Sequence, residues 1–302
     1  MAHTHDHGQT ASRKVLLFSF LITTVYMIIE AAGGFLTNSL ALLSDAGHML
    51  SDSISLGVGV LAFTLGAKSA DPQKTFGYRR FEILAAVFNG TALLAVSIVI
   101  LVEAFRRFAE PPDVSSIGML WIAIAGLVVN LLVAYIMRKG DTHGNLNVRA
   151  AFLHVLGDLL GSVGAILAAF LIMFFDWSWA DPLASIVVAI LVLISGWRVT
   201  RDAVHVLMEG TPSEVDIQAV EKQLRSFEEV TDVHDLHIWS ISSGFNAIAC
   251  HIEVRSDFTM RKAKPLLTEI ERRLAEENIH HSTIQFEPPA YQHVLDEEGP
   301  RH

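Results

Sequence analysis

The sequence predicts a membrane protein in two parts, an all-α transmembrane domain of six helices followed by a small α+β domain. Three observations carry that prediction. Apolar residues make up 51% of the 302 and charged residues only 18%, below the roughly 25% usual in soluble domains. The apolar residues crowd into residues 15–208, and the chain as a whole has a mean hydropathy of +0.42. The last third reads instead as an ordinary soluble sequence, with extended runs and an amphipathic helix between turn residues. The expected divisions are a histidine-containing N-terminal segment at 1–13, the six-span domain at 14–208, the α+β domain at 209–290 and a disordered tail at 291–302.

A helix that crosses hydrocarbon needs about 20 mostly apolar residues. Six stretches qualify: 15–37, 40–66, 82–104, 117–137, 150–175 and 183–203. Polar or breaker-rich connections separate them, among them Gly33-Gly34 to Asn38, Ala70 to Lys74 and Glu110 to Asp113. An even number of spans puts both termini on one side. Arg13 and Lys14 precede the first span, Lys68, Lys74, Arg79 and Arg80 lie between the second and third, and Arg138, Lys139 and Arg149 between the fourth and fifth. The opposite loops offer only Arg106 and Arg107. Short loops rich in Lys and Arg stay cytoplasmic, so both termini are expected there, in a plasma or bacterial inner membrane.

Beyond residue 208 the pattern changes. Ser213 and Asp216 open a helix that runs to Phe227, and an extended run follows from Val230 to Ile241. A turn at Ser242-Ser243-Gly244 leads into a second run, Phe245 to Val254, then an amphipathic helix from Thr259 to Glu276. A last strand, Ser282 to Glu287, ends at Pro288-Pro289. Helix–strand–strand–helix–strand is a small α+β domain with an antiparallel element. The net charge of −10 comes mostly from this part and argues against a nucleic-acid partner. The single cysteine, Cys250, rules out an intrachain disulfide and a thiolate-rich metal cluster. No cleavable signal pattern precedes the first apolar stretch.

Two of the six spans repeat one polar phrase: His48-Met49-Leu50-Ser51-Asp52 and His154-Val155-Leu156-Gly157-Asp158. Residues four apart share a helical face, so each helix presents an imidazole and a carboxylate together. Ionisable groups within a membrane are costly and are read as functional by default. A lone buried histidine is more often a hydrogen-bonded structural residue, but two copies of His-x-x-x-Asp inside spans resist that explanation. Facing each other, His48, Asp52, His154 and Asp158 supply a tetrahedral N2O2 set that suits Zn2+. The same set accepts Cd2+, Co2+ or Ni2+, whereas Mg, Ca and Mn prefer oxygen alone. Asp45, three residues before His48, lines an access path or bonds within the bundle. Glu30, Asn89 and Asn130 are read as helix-packing hydrogen-bond groups. His3, His5 and His7 form a second, looser metal-capturing run at the N-terminus.

These residues also carry a resemblance. The run from Asn38-Ser39-Leu40 through Ser44-Asp45-Ala46-Gly47-His48 to Asp52 resembles the second span of the cation diffusion facilitators. Phe76-Gly77-Tyr78-Arg79-Arg80-Phe81-Glu82, His154 to Asp158, and Val233-His234-Asp235-Leu236-His237-Ile238-Trp239 are similar to that family's third span, fifth span and cytoplasmic domain. The resemblance covers nearly the whole chain. It implies a homodimeric, proton-coupled antiporter whose cytoplasmic domain is ferredoxin-like, of the metallochaperone type. A histidine at position 48 is similar to the zinc branch. Lys74 and Tyr78 stand where some members carry loop ligands, which argues against a loop site although Asp71 remains. His234, His251, His280 and Glu287 fall where vesicular-type zinc transporters of the family carry cytoplasmic ligands, and Arg80 with Glu209 resembles a charge pair joining the two domains.

The expected activity is therefore proton-coupled export of Zn2+ from the cytoplasm, with Zn2+ also a regulatory ligand and no organic cofactor. An enzyme is disfavoured: an intramembrane metallohydrolase would need an open coordination position and a phrase such as His-Glu-x-x-His, which does not occur. A channel is disfavoured because four chelating ligands hold an ion too tightly for fast conduction. The alternative kept open is a membrane-anchored zinc sensor without transport.

Overall fold

The structure, a computed structural model, describes residues 6–65, 71–139, 146–289 and 291. His3, His5 and nearly all of the tail expected at 291–302 lie outside them. The chain divides into two units, one of Met1–Tyr78 with Leu84–Arg201, the other of Arg79–Ile83 with Asp202–His302.

The first unit holds the greater part of six long helices: α1 (Asp6–Thr37), α2 (Leu40–Leu65), α3 (Phe81–Ala109), α4 (Ser116–Lys139), α5 (Leu146–Phe175) and α6 (Ala180–Leu207). Among the described residues four stretches are long and apolar enough to cross a membrane: Phe20–Thr37, Phe81–Ala109, Ser116–Val133 and Ala180–Leu207. Helix α5 adds a shorter apolar stretch, Gly161–Phe175. A helix is the form such sequences take because it bonds nearly all of its backbone amides within itself, which hydrocarbon cannot do for it. Large side chains such as Phe35, Leu36, Phe88, Val99, Trp121 and Phe174 face outward. The interior goes to small ones: Ala41, Ala123, Ala165, Ala168, Ala169 and Ala180 pack around Leu42 and Met119. Small residues let helix backbones approach, the usual basis of packing in lipid. Helix α1 packs on α2 and α4, and α4 on α5. It begins at Asp6, earlier than the span expected from residue 15, so His7 stands on its first turn.

The second unit contains α7 (Ile217–Arg225), β1 (Val230–Ser242), β2 (Phe245–Val254), α8 (Met260–Glu276) and β3 (Ile279–Glu287). Asp216 caps α7, its Oδ1 accepting from the amides of Gln218 and Ala219. The sheet order is β1-β2-β3, with β1 and β2 antiparallel through the Ser242-Ser243-Gly244 turn, where Gly244 takes φ +69°. The β2–β3 pair is parallel, because α8 carries the chain back across before β3 begins. Helices α7 and α8 cover the sheet, and Val220, Leu224, Ile248, Ile252, Ile270 and Leu274 form the core. Strand β3 starts at Ile279, three residues before the sequence places it, and Ile279 closes that core.

Candidate metal centre

Three ligand-bearing residues converge on the sheet. His234 on β1 and His251 on β2 are direct antiparallel partners, so their side chains leave the same face side by side. On β3, Gln285 is the partner of His251, and Glu287 follows two residues later on the same face. Glu287 Oε1 lies 2.9 Å from His251 Nδ1, and its Oε2 lies 3.3 Å from His234 Nε2. One ligand atom from each of the three lies within 4.8 Å of the others. The Glu287 carboxylate is only 3% exposed, and Gln285 Nε2 donates to its Oε1 at 2.8 Å. Two imidazoles around a nearly buried carboxylate are an N2O set that fits Zn2+ and leaves a fourth tetrahedral position.

Further carboxylates address the outer imidazole nitrogens. Asp232 Oδ2 lies 3.5 Å from His234 Nδ1, and Asp235 Oδ2 lies 3.6 Å from His251 Nε2. Asp232 is also bonded by Arg225. Burial alone would raise the Asp232 carboxyl, but the hydrogen bond and charge of Arg225 outweigh it and hold the group below the usual carboxylate range. Asp235 reaches His251 because β1 bulges there: the register slips between His234 and His237, and Asp235 takes φ +49°. A bulge re-aims the side chain it carries. Asp235 also accepts from His237 Nε2 at 3.0 Å.

His280, expected with this group, stands elsewhere. It lies near the start of β3, its ring stacked 6.4 Å from that of Phe245. At about 3.3 Å rise per residue it is roughly 16 Å along the strand from Gln285. Strand spacing, which the sequence places loosely, separates it from the other three.

Of the intramembrane quartet, His48 and Asp52 belong to α2, and His154 and Asp158 to α5. The side chains of Asp52, His154 and Asp158 lie outside the described residues, and His48 is half-buried. The two helices pack on one another. Asp45 is buried where α2 meets α5, at the surface of Gly161. Asn89 and Asn130 form links between helices. Asn89 Nδ2 donates to Ser51 Oγ at 2.8 Å, and Asn130 Nδ2 to Ser162 Oγ at 3.3 Å. Glu30 lies 3.3 Å from the Tyr26 hydroxyl, which also hydrogen-bonds the Ile122 carbonyl at 2.8 Å. In the second unit Arg80 Nη2 donates to Glu209 Oε1 at 3.1 Å.

Asp71 closes a turn: its Oδ1 accepts the amides of Gln73 and Lys74, which hold the carboxyl below its usual range, and Tyr78 donates to Oδ2. Sequence reasoning missed Asp181, which is fully buried on the first turn of α6. Asp181-Pro182 reads as a helix start, with no sign of which groups the carboxylate serves. It equally missed Asp232 and Asp235, whose contacts depend on the bulge.

The family model for the cation efflux transmembrane domain matches residues 16–208, and that for the cation efflux protein cytoplasmic domain matches 212–289. The chain is 59% identical, over 96% of its own length and 93% of the relative's, to a cadmium, cobalt and zinc/H(+)-K(+) antiporter of Bacillus subtilis. It is 41% identical to the zinc transporter ZitB of Escherichia coli, over 95% and 93% of the two chains. Among solved structures, the metal-bound C-terminal domain of the CzcD transporter from Cupriavidus metallidurans is 38% identical and covers 24% of this chain and 99% of its own, with a TM-score of 0.22.

Proposed function

The chain belongs to the cation diffusion facilitators, a family of membrane metal-efflux transporters rather than enzymes, and from that premise we propose that it exports Zn2+ from the cytoplasm in exchange for protons. The observation that carries the reading is the repeated His-x-x-x-Asp on α2 and α5, which supplies His48, Asp52, His154 and Asp158 as a four-ligand set within the membrane. The relatives' names support the substrate class, since zinc is in both and cadmium and cobalt in one. The protein works as a homodimer of six-span subunits in the plasma or inner membrane, termini on the cytoplasmic side. Its second unit, folded in the ferredoxin-like manner, would bind regulatory Zn2+ through His234, His251 and Glu287.

Metal binding to imidazole and carboxylate requires them to be deprotonated, so occupancy falls as protons arrive. Facing a near-neutral cytoplasm, His48 and His154 are neutral and take up Zn2+. Facing the other side, they receive protons, and the charge they gain expels the ion. Histidine's unperturbed pKa of about 6.5 places this exchange in the working range. Alternation around a fixed site between helices completes the cycle. Asp45, buried beside Gly161, lines the route next to the site.

Zn2+ flux in proteoliposomes under an imposed pH gradient tests the proposal. Wild-type protein should transport in proportion to the gradient, and Asp158→Ala should assemble but lose flux. An unchanged rate in the variant would remove the quartet from the mechanism. A K+ gradient in the same vesicles separates proton exchange from the H(+)-K(+) exchange named for the Bacillus relative. A sensor without transport is the second reading, favoured by the sheet triad. It requires zinc binding with no flux under any gradient.

A further inference from the structure

Helix α2, which carries His48 and Asp52, begins with Leu40, Ala41 and Leu42 buried. The first amides of a helix have no partner within it, and leaving a buried amide without one costs about 1–3 kcal/mol. Two of those in α2 are satisfied from another helix and one by the residue that precedes α2. Asp181 on α6 accepts from the Leu40 amide through Oδ2 at 2.8 Å and from the Ala41 amide through Oδ1 at 3.1 Å. The Ser39 hydroxyl donates to Oδ1 at 2.6 Å and accepts from the Leu42 amide at 3.3 Å.

Arg107 of α3 reinforces the junction. Its guanidinium donates to the Asn38 carbonyl at 2.7 Å and to Asn38 Oδ1 at 3.1 Å, and comes within 3.9 Å of Asp181 Oδ2. Leu40 packs with Ile100 and Ala104 of α3 and Ala189 of α6. The Asp181 side chain is wholly inaccessible to solvent, an expensive place for a carboxylate. Capping alone does not call for it, because an acidic residue at position 39 would cap α2 locally. What a carboxylate on α6 adds is a fixed position of α2 against α6.

We infer that Asp181 is a positioning residue for transport, pinning the first turn of α2 to α6 and thereby setting where His48 and Asp52 stand. This rests on the proposal that those two residues are transport ligands. His48 lies about two helical turns, or roughly 12 Å, beyond the pin, so a tilt at the first turn displaces the ligand face. Loss of folded protein would lower the maximal rate and leave the KM for Zn2+ unchanged. Misplaced ligands raise the KM.

The test uses full-length protein in proteoliposomes, with Zn2+ flux and amide hydrogen exchange read on the same preparations. Asp181→Ala should raise the KM for Zn2+ about tenfold, equivalent to about 1.4 kcal/mol, and speed exchange at Leu40, Ala41 and Leu42. Adding Ser39→Asp to that variant supplies a local cap without the link to α6. Exchange should then slow again while the KM stays high. A wild-type KM in Asp181→Ala overturns the inference, and so does a KM restored by Ser39→Asp, which would reduce Asp181 to a replaceable cap. Should Asp181→Ala fail to assemble, Asp181→Asn, which keeps the shape and one acceptor, must still raise the KM, and a wild-type value there overturns the inference equally. Asp52→Ala is run in parallel: undiminished flux in it would fault the ligand assignment, while the exchange data would still report the pin.

Discussion

A methyl group added at Gly161 would lie 2.5 Å from Asp45 Oδ1, whereas one added at Gly164 would meet nothing within 4 Å. Gly161→Ala must therefore push α2 and α5 apart or drive Asp45 off its position, and overpacking of that kind costs about 1–3 kcal/mol. The expected outcome is a lower thermal midpoint and slower Zn2+ flux in Gly161→Ala, with both at wild-type values in Gly164→Ala. Equal behaviour of the two would mean that the Asp45 contact is without consequence. Cys250 offers a second check at this scale. Burial pushes its thiol up to about 12, and thiolate is the reactive form. Maleimide labelling at pH 7 should be negligible in native protein and rapid in denaturant, as read by mass. The sharing of a helical face was legible residue by residue, because His48 and Asp52, like His154 and Asp158, lie one helical turn apart and need no tertiary information for it. Asp235 was not, since only the bulge that gives it φ +49° brings its carboxylate to His251.

At the level of elements, α7 shows why some boundaries can be read closely. Asp216 was marked by type and place as a helix start, and its carboxylate does accept the amides of Gln218 and Ala219. Asp216→Ala should cost about 1 kcal/mol, seen as faster exchange at those two amides with the sheet unaffected. If exchange also rises at Ile248 and Ile252, the cap supports the whole unit rather than the helix end. The strands were legible from their runs and the hairpin from its Ser-Ser-Gly turn, but their partners were not. Nothing local says that β3 lies parallel to β2 rather than beside β1, because that choice is made by how α8 packs across the sheet. The displaced His280 is the same limit seen on one side chain: a strand that begins at Ile279 carries it away from the triad.

Taken as a whole molecule, the chain joins a unit stabilised by burial in lipid to one whose surface charges respond to pH. Hydrogen bonds from Arg272 and Arg273 hold the Glu269 carboxyl at about 2, down from 4.5, and Asp232 and Asp257 are likewise depressed. Carboxyls lowered by folding add stability above their unfolded values and lose it as pH falls through their folded ones. The second unit should thus hold its full charge contribution above about pH 4.5 and lose it progressively toward pH 2, a modest effect because these groups are largely exposed.

Zinc acts on the same molecule by mass action. A ligand at 100 times its Kd stabilises the state that binds it by about 2.7 kcal/mol, and if both proposed sites bind zinc the chain should respond in two separable parts. Free Zn2+ added at pH 7 should raise the thermal midpoint of full-length protein. In Asp158→Ala the intramembrane share of that rise should vanish and a second share remain. Adding Glu287→Gln should abolish the remainder, because it strips the charge from the carboxylate that His234 and His251 both approach. His280→Ala, remote from the triad, should leave the response whole. A rise that survives Asp158→Ala with Glu287→Gln would place zinc on other residues, and one abolished by His280→Ala would return that histidine to the ligand set.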